Sequence, residues 1–202
     1  MAGWREPLAT AVQLRQFVEL ITKWNRKINL TSLQLEPMSD EAIDRLIVEP
    51  VLASRFVRRA DVAVVDLGSG GGSPAIPFKI QLPASSLRMI ESRSRKCAFL
   101  REATRQLDLA KTIVEESRFE LLMDRQDLKQ SADVITVRAV RFDEQLLELI
   151  RWLLAPGGEV FRFTHRGDLP FPSGVQIVVV HELVPAISSE LQIVKLTDVG
   201  LH

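Results

Sequence analysis

The chain has 202 residues, 26 basic and 26 acidic side chains, no net charge, 46% apolar and 26% charged residues; this globular balance with room for one sizeable core argues against disorder and against a membrane span. Its single cysteine, Cys97, rules out an intramolecular disulfide and agrees with a cytoplasmic protein, and Met-Ala-Gly-Trp-Arg-Glu at the N-terminus has no apolar signal core. With zero net charge, any affinity for nucleic acid must come from a local basic face.

From the N-terminus, Leu14, Phe17, Val18, Leu20, Ile21 and Trp24 recur at helical spacing, which predicts an amphipathic helix over residues 8–24. It runs into Trp24-Asn-Arg-Lys-Ile-Asn-Leu-Thr-Ser32, where Lys23, Arg26 and Lys27 gather positive charge beside a turn. A solvated face and an RNA contact explain those charges equally well. Ser39 and Asp40 suit the cap of a second helix over residues 41–57, with an apolar stripe of Ile43, Leu46, Ile47, Val51 and Leu52 and a kink or split at Pro50.

Next comes the stretch around which the rest is arranged. The apolar run Val62-Ala-Val-Val65 leads through Asp66 into Leu67-Gly-Ser-Gly-Gly-Gly-Ser73, which reads as a buried parallel strand, a tight turn and a helix over residues 73–81 with Pro74 near its start. Glycines allow positive φ and close ligand approach, so a small anionic or nucleotide-like ligand is expected there, facing the N–H groups and positive end of the helix. The dinucleotide pattern Gly-x-Gly-x-x-Gly meets Ser73 at its third place, which weakens a dinucleotide reading. Asp66-x-Gly-x-Gly-x-Gly72 instead resembles the first motif of class I S-adenosylmethionine-dependent methyltransferases.

Residues 87–91 form the next predicted strand, ending in Glu91, whose carboxylate is placed to accept from both hydroxyls of a ribose. Strand and helix then alternate: helix 93–107, strand 112–115, a short helix 119–123, strand 133–138, helix 143–154 stopped by Pro156-Gly-Gly158, strand 159–164, and a closing pair at 175–181 and 191–196. That order predicts an α/β fold, a mostly parallel seven-stranded sheet with helices on both faces and right-handed connections. Residues 1–60 read as an N-terminal helical extension and 61–202 as the sheet domain. Ligands of such sheets bind outside the carboxyl ends of the strands, which collects Asp66, Gly68 to Gly72, Glu91, Glu115 to Arg118 and Arg138 around one crevice.

Five segments together, Trp24 to Thr31, Asp66 to Pro77, Glu91 to Arg101, Arg138-Ala139 and Leu154 to Gly158, resemble the RsmG (glucose-inhibited division protein B) family. The resemblance implies a class I methyltransferase (Rossmann-like) fold, S-adenosylmethionine as cofactor, no metal, and methyl transfer to N7 of a guanine in 16S rRNA. It implies a monomer acting on 16S rRNA or the small ribosomal subunit, away from any membrane. The cofactor site it implies comprises Asp66, Gly68, Ser69, Gly70, Gly72, Glu91, Ser92, Glu116, Ser117 and Arg138, with Arg138 also catalytic. RNA contacts fall to Lys23, Arg26, Lys27, Arg93, Lys96 and Arg166.

The residues suit that chemistry. Guanine N7 has an in-plane lone pair and no proton to lose, so transfer needs alignment and electrostatics more than a general base. Where an adenine amino-methylase carries Asn/Asp-Pro-Pro-aromatic, this chain has Val137-Arg-Ala-Val-Arg141, and Cys97 lies among Ala98, Phe99 and Leu100 as a core residue rather than a nucleophile. Arg138 can donate to a guanine edge or a phosphate, or form a salt bridge to Asp66 or Glu91. Three departures stand out: Arg45-Leu-Ile-Val-Glu-Pro50 where the family commonly has Arg-His-x-x-Asp-Ser, Ser189-Glu190 for a basic pair, and Ala75 for a glycine. They keep open a non-catalytic RNA- or ribosome-binding relative, with an NAD-dependent enzyme as a further alternative.

Overall fold

The computed structural model describes residues 7–165 and 175–196. Its centre is a seven-stranded sheet of β1 (Ala63–Leu67), β2 (Ser86–Glu91), β3 (Thr112–Glu116), β4 (Ala132–Arg138), β5 (Leu154–His165), β6 (Val175–Val184) and β7 (Ser189–Leu196) in the order β3-β2-β1-β4-β5-β7-β6. The first five strands are parallel, and β7 is antiparallel to both β5 and β6. Because successive strand residues face opposite sides, the central strands supply two cores. Val64, Met89, Val134 and Phe161 point into one, and Val65, Ile90, Ile135 and Val160 into the other.

The first core is covered by α1 (Pro7–Asn25), α4 (Ala75–Gln81) and α5 (Ser94–Gln106); the second is covered by α6 (Glu144–Leu153), whose Leu146, Leu149, Ile150 and Leu153 are buried and whose first turn is capped by Asp143, accepting from the Leu146 N–H at 3.0 Å. In α1 the stripe is tied down by Phe17 and Ile21, both fully buried, and Trp24 lies 5.7 Å from Phe99 of α5. The N-terminal segment and the sheet thus share one core.

Three elements differ from the sequence expectation. The second helix is broken before Pro50: α2 (Asp40–Ile43), capped by Ser39, passes into a π-helical turn over Asp44–Val48, then α3 (Glu49–Ala53) and a 3₁₀ turn over Ser54–Phe56. The wide turn sends the Glu49 N–H to the Asp44 carbonyl, and Pro50, in the first turn of α3, has no N–H to give. The carbonyls of Arg45 and Leu46 therefore lose their ordinary helical donors and must find others. Pro156-Gly-Gly158 does not stop α6, which ends at Leu153; it lies inside β5 where the register with β4 shifts, and a Cβ on Gly158 would fall 3.0 Å from the Ala132 carbonyl. Between β3 and β4 the expected short helix is reduced to 3₁₀ turns at Phe119–Leu121 and Gln126–Leu128.

Candidate cofactor and nucleic-acid site

The glycine turn leaves β1 at the centre of the sheet. Gly68, Gly70 and Gly72 have φ of +74°, +53° and +83°, so each occupies the left-handed region that glycine enters without steric cost. The N–H groups of Gly68 and Ser69 go to the Ile90 carbonyl, that of Gly70 to Glu91 Oε2 at 2.9 Å, and that of Gly72 to the Ser69 carbonyl. This corrects the expected anion cradle, because those donors are spent in holding the turn, and α4 begins only at Ala75 and is a short helix. The turn offers a ligand close approach rather than an array of free N–H groups.

Two clefts meet at Gly68. One, of about 420 Å³, is lined by Glu91, Ser92, Ser117, Arg118, Phe119 and Glu120 at the tips of β2 and β3. Glu91 accepts from Gly70 N–H through one oxygen and from Arg93 N–H through the other; each oxygen keeps a second lone pair for a ribose hydroxyl. The other cleft, of about 470 Å³, has the glycine turn as its floor and residues 29–33 and Arg138, Ala139 and Val140 in its walls. Ala139 has φ +53°, a strained conformation for a residue other than glycine and one that gathers at functional sites.

The N-terminal motif is seated directly on the turn. Asn25 Oδ1 accepts from the Leu30 and Thr31 N–H groups at 2.8 and 3.1 Å, and a Cβ on Gly71 would lie 3.2 Å from both the Leu30 carbonyl oxygen and Ile21 Cδ1. Gly71 is thus small so that Leu30 can sit on it. Asn25→Ala leaves two backbone donors without their partner and is expected to cost about 1–3 kcal/mol, read as a lower denaturant midpoint.

Asp66 is 1% exposed. Oδ1 accepts from Thr136 Oγ1 across the β1–β4 register at 2.5 Å, and Oδ2 is buried without a hydrogen-bond partner among the described residues. Burial pushes its pKa up, opposed by the Ser69 and Thr136 hydroxyls and the Arg138 charge.

Arg138, at the tip of β4, is held from several sides. Nη2 donates to Glu49 Oε2 at 2.5 Å, Nη1 to the Arg45 carbonyl at 2.5 Å and to Ser73 Oγ at 3.2 Å, and the guanidinium lies 4.6 Å from the Phe163 ring centre. Ser73 Oγ donates in turn to the Leu46 carbonyl at 3.0 Å. The two carbonyls stranded by the π turn and Pro50 are thereby satisfied by Arg138 and Ser73. Glu49 is 3% exposed and stands where the family pattern has its aspartate. The salt bridge expected to Asp66 or Glu91 is therefore made to Glu49 instead. Burial pulls the Arg138 pKa below its ordinary value, against the opposing effect of Glu49 and Asp66.

Of the other expected residues, Ser69 is buried in the turn and, with Gly70, lines the second cleft; Ser92 and Ser117 line the first. Gly72 faces the core, where a Cβ would meet Ile76 Cδ1 at 2.6 Å. Glu116 turns to Arg101 at 3.1 Å, and Glu115 to Arg88 and Arg125 at 2.8 and 3.1 Å, away from both clefts. Arg93 and Lys96 line the second cleft with Arg45 and Arg138, and no acid is among its described lining residues. Lys27 is exposed, Arg26 is exposed but paired with Glu36, and Lys23 lies in a separate groove beside Gln106 and Leu107. Arg166 lies outside the described residues.

The model of the family described as rRNA small subunit methyltransferase G matches residues 10–168. Among curated proteins, the ribosomal RNA small subunit methyltransferase G of Laribacter hongkongensis is 35% identical over 192 residues, covering 91% of this chain and 86% of its own. The protein of the same name from Stenotrophomonas maltophilia (strain K279a) is 33% identical over 194 residues, with 94% and 87% covered. Among solved structures, a SAM-dependent methyltransferase from Aquifex aeolicus superposes with a TM-score of 0.58 at 14% identity, over 83% of this chain and 98% of that one. TYW2 of P. horikoshii in complex with MeSAdo gives 0.58 at 12% identity, over 84% and 67%. These likenesses identify the fold as the class I, Rossmann-like methyltransferase fold, as the strand order and the two-sided sheet do. On the family match and the two relatives together, the chain belongs to the rRNA small subunit methyltransferase G family.

Proposed function

We propose that the protein transfers the methyl group of S-adenosylmethionine to N7 of a guanine in 16S rRNA, presented by the small ribosomal subunit. The observation that carries this reading is the pair of clefts joined at Gly68: one ends in a strand-tip carboxylate suited to a ribose, and the other is lined by four basic side chains and no acid among the described residues. The cofactor fits the first cleft, where Glu91 would take the ribose hydroxyls, Ser92, Ser117 and Phe119 would border the base, and Gly68 and Gly70 would let the chain pass close to the sulfonium arm. When bound, it supplies an electrophilic methyl group. Everything else falls to alignment and electrostatics, since guanine N7 has no proton to remove.

In this reading residues 61–202 carry the transfer chemistry, and residues 1–60 form the wall against which RNA docks, as a monomer. Arg93 and Lys96 at the second cleft, with Lys27 and Arg26 on the adjoining turn and Arg166, would meet phosphates; Lys23, in its separate groove beside Gln106 and Leu107, would bind a different part of the RNA. Arg138 acts by position, since its terminal nitrogens are filled from within the protein.

The test is methyl transfer to small subunits and to naked 16S rRNA at matched salt, with the product mapped as N7-methylguanine. Transfer is expected to favour the subunit, because Leu46 and Ser189-Glu190 leave fewer polar groups for free RNA. Tight cofactor binding without transfer to either substrate would turn the reading to a non-catalytic RNA-binding relative. Affinity should fall steeply with salt, and Lys27→Ala and Arg166→Ala should each flatten the log–log slope by about 0.7 to 0.9 if the side chain contacts one phosphate.

A further inference from the structure

The second cleft poses an electrostatic problem. Its basic residues suit phosphates at the mouth: Arg93 and Lys96 come from the start of α5, and Arg45 lies beside Glu41 at 2.9 Å. Arg138 differs, because it sits at the strand tip next to the glycine turn, with its side chain only 18% exposed. In the transfer, the N7 lone pair forms the new bond to the methyl carbon while the carbon–sulfur bond breaks and its electron pair returns to sulfur. The sulfonium becomes a neutral thioether, the purine ring takes up the positive charge, and no proton is released. A bare guanidinium in a poorly solvated wall would oppose that arriving charge.

We propose that Glu49 is a positioning residue for this step: it anchors Arg138 in the cleft wall and cancels its charge, so the acceptor ring becomes cationic beside a neutral wall. This rests on the N7-transfer reading. The anchoring is overdetermined, since the stranded Arg45 carbonyl, Ser73 Oγ and the Phe163 face hold the same guanidinium that Glu49 neutralises. The Glu49 carboxylate is buried, and its one ion pair among the described residues is with Arg138.

The experiment compares wild type, Glu49→Gln, Glu49→Asp and the paired variant Glu49→Gln with Arg138→Gln, in methyl transfer to small subunits and in RNA binding by the cofactor-free protein. For Glu49→Gln, kcat should fall about thirtyfold with cofactor affinity within about twofold and KM for subunits unchanged or lower. The same variant should bind RNA more tightly without cofactor and with a steeper salt dependence, because one buried cation has lost its counter-charge. Glu49→Asp should restore most of the turnover, and the paired variant at least threefold of what was lost. An unchanged kcat in folded Glu49→Gln, or an equally deep loss in the paired variant, overturns the proposal. If Glu49→Gln does not fold, the paired variant decides: turnover within about tenfold of wild type supports the proposal, and a lower value overturns it. Wild-type protein that transfers no methyl to any rRNA would overturn the functional reading itself, whatever Glu49 does.

Discussion

Gly70→Asp is expected to abolish cofactor binding while leaving the fold intact. Gly70 has φ +53°, and aspartate is among the few side chains that enter the left-handed region at modest cost. A Cβ there has room, its nearest neighbours being the Gly68 carbonyl oxygen at 3.7 Å and Lys96 Nζ at 3.9 Å. The new carboxylate would lie beside Lys96 in the floor of the second cleft, at its junction with the first, where the sulfonium arm would pass the backbone. A Kd raised by a factor of roughly 100 or more, about 2.7 kcal/mol, is the expected result, read by titration calorimetry with circular dichroism as the check on folding. Gly72→Ala is the contrasting variant. Its Cβ would press on Ile76 and Leu100 in the core, so it should lower stability by about 1–3 kcal/mol and leave the affinity of the folded fraction alone. Full cofactor affinity in Gly70→Asp would move the binding site away from this turn.

Arg138→Ala carries the second large effect, and it falls on stability. On sequence grounds Arg138 looks like a tip residue whose removal spares the fold. The structure argues otherwise, because truncation would strand the 3%-exposed Glu49 carboxylate without its partner and reopen the Arg45 carbonyl. Breaking one side of a buried pair costs about 3–5 kcal/mol, against a total stability of about 5–15 kcal/mol for a typical domain. Glu49→Gln in the same chain should return a good part of that loss, since no bare charge is then buried. Urea unfolding of the four members of this cycle measures the coupling directly. If the two substitutions cost simply additive amounts, the pair behaves as an ordinary surface contact and the buried anchor at the β4 tip is refuted.

Much of the fold was legible because period and punctuation agree: β1 and β4 are mostly apolar runs, and α5 and α6 carry their stripes at helical spacing. Glu91 could be identified from its place at a strand tip. What stayed hidden depends on distance in three dimensions. Thr136 announces nothing in sequence, yet the β1–β4 register sets it against Asp66. Glu49 falls outside the apolar stripe of its helix and within a segment that reads only as a departure from the family pattern, although the acid itself is retained there and buried against Arg138. The π turn could not be inferred from Pro50 alone, because proline marks a break without saying on which side it falls. Ser73 reads in sequence as a helix start and as the residue that spoils a dinucleotide pattern, while its hydroxyl closes a helix from another part of the chain. The basic residues were the least informative class, since Lys23, Arg26 and Lys27 are neighbours in sequence but Lys23 lies in a groove of its own.

The shared core of α1 also bears on how the chain comes off its own ribosome. The partners of Phe17 and Ile21 belong to α4 and α5, so the first helix emerges with its apolar stripe uncovered and waits until residues up to Gln106 have been synthesised. The centre of the sheet waits longer, because β1 needs β4, some seventy residues downstream, on one flank. Over that interval the nascent chain offers an unpartnered amphipathic helix and a half-paired strand, the two features that recruit chaperones or invite association between chains. The seat of Leu30 on Gly71 can form only once the turn exists, so completion of the glycine floor and capture of the N-terminal loop are one event that follows synthesis of Ile90 and Glu91, to which the turn is bonded.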